Sequence, residues 1–192
     1  MKDLLKDRER GEEAQHFRKQ DEILIAKMRE RARLTDVAKA LGEKLRVDDP
    51  GMLNRVADLG LDNETGPAIL LAPLVQVAWA GGSVTAAEKS VVLELAASRG
   101  LTSGPAHEKL LEWLRVRPSD ALFDTAAEVM KIGFALLPPA ERDERISALV
   151  AACRRVAQAS GEGLLSVLGL GRESSEETAI LDAINARLRA NS

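Results

Sequence analysis

A chain of 192 residues has room for one domain with an appendage, or for two small domains, and its 45% apolar residues supply a core. Aromatic residues are 3% of the chain and Tyr is absent, so Leu, Val, Ala and Ile must build that core, which with 30% charged residues predicts an all-α protein. A net charge of -3 lacks the basic footprint of a nucleic-acid binder, and a single cysteine excludes an intrachain disulfide framework.

Residues 1–33 carry ten Lys/Arg and eight Asp/Glu, so this stretch is basic while the remainder is acidic. Within it Phe17, Leu24 and Met28 fall at +7 and +4, and Ile25 and Ala32 widen the stripe. The pattern predicts a thin amphipathic helix with a solvated face, an arm whose apolar stripe is the candidate partner-binding surface. No secretory signal precedes it, because the first twenty residues are mostly charged. A cytoplasmic location is therefore expected.

The domain expected over 34–192 opens with a short helix after Thr35 and Asp36. A second helix follows, with Asp48 or Asp49 as cap, Pro50 in its first turn and Gly60 beyond its end. Pro67–Ala80 is 14 residues of largely apolar sequence, short of the roughly 20 that span a membrane. It reads as a central helix buried on most sides, and Pro73 implies either a kink or a later start. Thr85 and Glu88 have capping-box spacing, and the helix they open should stop at Gly100. Helices follow from about Gly104, from about Ser119 and, after Pro138-Pro139, up to Ser160-Gly161. A Gly- and Leu-rich connection over 162–173 then leads to Ser174 and Glu177, a second capping-box spacing. That connection has no Gly-Lys-Ser/Thr ending and follows no strand, so it is not a phosphate loop; its leucines suggest a lid on the core.

Two joints in this series repeat. Val77-Ala78-Trp79-Ala80-Gly81-Gly82 matches Val156-Ala157-Gln158-Ala159-Ser160-Gly161, and each precedes a capping box. After each box glutamate, apolar residues recur at +3, +4 and +7: Val91, Val92 and Leu95, then Ile180, Leu181 and Ile184. The physical reading is two helical hairpins, with joints at about 78–88 and 157–177. Neither buries its apolar face alone, so the two share one core. Small residues before each turn allow close helix approach. Gly81, Gly82, Thr85, Ser160, Gly161 and Ser174 are the turn and capping positions.

The segment from Val77 through Leu101 resembles the signature of the TerB-like fold. This family is named for bacterial tellurite-resistance proteins and also occurs at the N-terminus of DjlA-type co-chaperones. The signature reads Ala-Asp-Gly, two residues, Ser/Thr, two residues, Glu, then a helix ending in Gly-Leu; the resemblance extends over about 53–188. It implies an all-helical, pseudo-repeated, cytoplasmic bundle associated with stress response, and acidic residues at the joints as metal sites. On that basis the candidate ligands are Glu88, Glu177, Glu176 and Glu162. The family's Asp is Gly81 in the first joint and Ser160 in the second, so little provision for a hard cation remains. No cofactor is expected, with a divalent cation as the alternative.

A shorter resemblance lies in the arm. Asp7-Arg8-Glu9-Arg10-Gly11, Phe17 and Asp21-Glu22 are similar to the opening of a small bacterial inhibitor subunit of the rotary ATP synthase, with Phe17 and the acidic pair one or two places late. It implies an inhibitory helix that inserts into a larger assembly.

Catalytic patterns are not evident. His16 and His107 lie far apart, and His107-Glu108 lacks the second His of a zinc motif. Leu34–Gly42 has the outline of a first DNA-binding helix, but the next helix comes late and would present Asp48 and Asp49 to phosphate. Cys153 falls on the apolar side of its helix and reads as a buried structural thiol, while Trp79 and Trp113 read as core fillers whose N–H groups need partners. The expected function is a non-enzymatic interaction or regulatory module that binds a protein partner or a second copy of itself, with no nucleic acid and no transmembrane segment. A far-ultraviolet circular dichroism spectrum should show helix without appreciable strand; a strand-rich spectrum would overturn the fold class.

Overall fold

The computed structural model describes residues 19–29, 42–43, 47–160 and 175–190, with the side chains of 160 and 175–177 left aside. Among these residues the protein is all-α, helices joined by turns with no strand. Residues 19–29 are helical (α1) and exposed throughout. Then come α2 (Pro50–Asp58), a 3-10 segment (Gly66–Leu71), α3 (Ala72–Ala78), α4 (Ala86–Ala97), α5 (Pro105–Arg115), α6 (Asp120–Ala135), α7 (Pro139–Ser160) and α8 (Ser175–Arg189).

Local chemistry sets several of these boundaries. Asp49 is the cap of α2: its Oδ1 accepts from the Gly51 and Met52 amides at 2.8 and 3.1 Å. After α2, Asp62 folds into a tight turn, its Oδ1 accepting from the amides of Glu64 and Thr65 and from the Thr65 hydroxyl. These bonds, the Thr65 amide foremost, hold the Asp62 carboxyl below its usual range. The turn launches the 3-10 segment, and α3 starts only at Ala72 with Pro73 in its first turn. The apolar stretch is thus not one helix from Pro67. Pro73 lacks the amide that would continue the ladder, and it is accommodated where a first-turn amide is unpaired anyway.

In α3, Ala72, Pro73, Leu74, Val75, Val77 and Ala78 are all buried. Apart from half-buried Gln76 the helix is apolar, and α4, α5, α6, α7, α8 and the 3-10 segment all pack around it. α7 lies along α4, α3 and α8, and α6 bridges α2, α3 and α8. Arg155–Glu94, Arg187–Asp124, Arg189–Asp143 and Arg55–Glu128 ion pairs mark where neighbouring helices meet at the surface. Being exposed, each contributes only about 0–1 kcal/mol. The α3–α4 and α7–α8 pairs therefore share one core. Gly42 sits against it: a Cβ there would lie 2.9 Å from both the Val47 carbonyl oxygen and the Leu53 Cδ1.

Cys153 is fully buried on α7 and free. Desolvation pushes its thiol up from 9.0 to about 12, the nearby Arg99 cation offsetting a part. Between pH 9 and 12 the unfolded thiol ionises while the folded one keeps its proton. The stability this provides is complete below pH 9 and is lost as pH rises through that window. The expected outcome is that a thiol reagent labels the native protein at neutral pH far more slowly than the urea-unfolded chain. In addition, Cys153→Ala should flatten the alkaline fall in melting temperature.

Candidate functional site

The joint between α3 and α4 is the sequence-predicted site that the structure describes in full. α3 ends at Ala78, and the Ala80 and Gly82 amides bond back to the carbonyls of Val77 and Trp79 at 3.0 Å each. Gly82 has φ 83°, a left-handed conformation that glycine adopts without steric cost. Close packing of a side chain at this position would have been a further demand on glycine, but a Cβ on Gly82 would meet nothing within 4 Å. The requirement is one of backbone conformation alone, because the turn protrudes into solvent instead of lying between the helices.

Thr85 then caps α4. The Glu88 amide donates to Thr85 Oγ1 at 3.2 Å, and the Thr85 amide donates to Glu88 Oε2 at 2.7 Å. Both halves of the capping box are formed. Glu88 is nevertheless 2% exposed, among the few buried polar residues described. Its carboxylate faces back onto its own helix start, in a position where an anion is favoured by the helix dipole. Behind the turn, the Trp79 indole Nε1 donates to the Trp113 carbonyl oxygen at 2.8 Å. That bond ties the end of α3 to the last turn of α5, and it satisfies a carbonyl that the end of α5 leaves without a helical partner.

The other candidates are less fully described. Ser160 is the last residue of α7, and Glu176 and Glu177 lie in the first turn of α8. Their side chains, together with Gly161, Glu162 and Ser174, fall outside the described residues, and with them the second capping box and the leucine-rich lid. Phe17 also lies outside. Leu24 and Met28 are on α1, 57% and 64% exposed, beside Ile23 and Ile25 at 53% and 47%. His107 Nδ1 is 3.2 Å from the Leu101 carbonyl oxygen, a link between α5 and the turn before it.

Among the described residues no group of three or more His, Cys, Asp or Glu side chains is placed to hold a metal ion. A shallow cleft lies between α3, α6 and α8, lined by Pro73, Gln76, Phe123, Met130, Ile184 and Arg187 among others. Its volume of about 40 Å3 accommodates a water or two, and its one cation, Arg187, is paired with Asp124 at 2.6 Å. Sequence reasoning did not find this cleft, since it forms where three helices distant in sequence meet. Also among the described residues, no helix is long and apolar enough to cross a membrane. The chain matches no protein-family model, no curated protein and no solved structure.

If the joint is a structural cap, Thr85→Ala and Glu88→Ala should each cost on the order of 1 kcal/mol in urea melts. The double variant should cost less than the sum, because the two share one motif. Gly82→Ala should cost about 1–2 kcal/mol from its left-handed φ, whereas Gly81→Ala, in open space without a positive φ, should be close to neutral. A silent Glu88→Ala melt would move the role of this residue from structure to binding.

Proposed function

We propose that this chain is a non-catalytic, TerB-like interaction module whose N-terminal arm contacts a protein partner. The observation that carries the reading is the arm itself. Four large apolar side chains, Ile23, Leu24, Ile25 and Met28, stand 47–64% exposed along eleven residues of helix. Burying such side chains fully is worth about 1.5–3 kcal/mol each. An apolar stripe on a solvated helix gains stability when another surface covers it. An apolar groove on another protein is the complementary surface.

The TerB-like part of the proposal draws support from burial at the repeated positions. Val77 and Ala78 are fully buried, as are Val156 and Ala157. Val92 and Leu95 are buried on α4, and Leu181 and Ile184 on α8, while Val91 and Ile180 are partly buried. These matched positions have similar environments, which supports a pseudo-repeat, whereas half-buried Trp79 and Ala80 face exposed Gln158 and buried Ala159 in the alignment. A role in stress response and a cytoplasmic setting come with the resemblance.

The partner test uses the full chain and the Leu24→Glu/Met28→Glu variant in crosslinking capture from cell extract, with sedimentation of both purified proteins. The expected outcome is a specific partner captured by the full chain and lost in the variant, with the melting temperature unchanged. A dimer that dissociates in the variant identifies a second copy of the chain as the partner. Inhibition of ATP hydrolysis by a captured rotary ATPase would give the arm the inhibitory role its sequence resemblance implies. Equal capture by both proteins would overturn the assignment to the arm.

A metal-binding role for the joint is the alternative that the resemblance raises. Titration calorimetry with calcium, manganese or zinc is expected to show no micromolar binding, because Glu88 is engaged by the Thr85 amide and Gly81 brings no carboxylate. A tight isotherm that Glu88→Gln abolishes would reverse this.

A further inference from the structure

We draw no further inference here: the strongest candidate, the exposed apolar face of α1 formed by Leu24, Ile25 and Met28, already carries the proposed function, and nothing in the structure shows which partner covers it.

Discussion

The burial of α3 is the constraint on which the rest of the structure depends. Seven residues long, it has Gln76 as its one polar side chain and is surrounded by five helices and the 3-10 segment. So short a helix has no independent stability, since nucleating a turn costs more than a few hydrogen bonds return. It exists because Leu74, Val75 and Val77 are removed from water entirely. Its Ala and Val side chains keep it slim, which lets neighbouring helices approach on every side without Tyr and with little other aromatic bulk. The cost falls at its ends, where backbone groups would otherwise be orphaned in a dry interior. The 3-10 segment and Pro73 manage the first end. Bonds from the Trp79, Ala80 and Gly82 amides close the second.

The same constraint explains the chemistry of the joint. Leaving a buried helix and starting the next within seven residues requires a sharp reversal, and Gly82 provides it through a left-handed backbone. α4 then begins at the surface, with Thr85, Ala86 and Ala87 exposed, and Glu88 is its first buried residue. Thr85 and Glu88 satisfy each other's amides reciprocally, so a buried carboxylate is held by a backbone donor instead of standing as an uncompensated charge. A carboxylate committed in this way supports a helix start, and its burial removes it from solutes. That distinguishes the joint from the open oxygen clusters that hard cations select.

The bundle and the arm solve opposite problems. The bundle has more apolar surface than its individual helices can hide, and it resolves this by packing its helices around α3 and α7. Its exposed ion pairs, such as Arg155–Glu94 and Arg189–Asp143, add geometry at the rim more than stability. The arm has a narrow stripe and a wide charged surface, so it gains little from collapsing on itself. In the proposed reading this difference is functional: the bundle provides a rigid base, and the arm keeps its apolar residues for a partner.

Much of the local structure was legible in the sequence because it is written in adjacent residues. The Asp49 cap, Gly60 and Gly100 beyond helix ends, the Thr85/Glu88 box, the break at Pro138-Pro139 and the burial of Cys153 all follow from neighbours within a turn of helix. The 3-10 segment was not legible, because an apolar run has the same composition whether its bonds are of 3-10 or α type; the Asp62–Thr65 turn and Pro73 decide it. Nor did sequence indicate that the Trp79 indole finds the Trp113 carbonyl, that Gly82 projects into open space, or that α3, α6 and α8 leave a cleft too small for more than a water or two. Those features depend on residues tens of positions apart. By itself the sequence determined the all-α class and, among the described residues, caps such as Asp49 and the Thr85/Glu88 box, since these are short-range effects of hydrogen bonding and periodicity. Only the tertiary structure decided which faces meet and which carboxylate is buried, because packing α3 on all sides selects one arrangement of the helices.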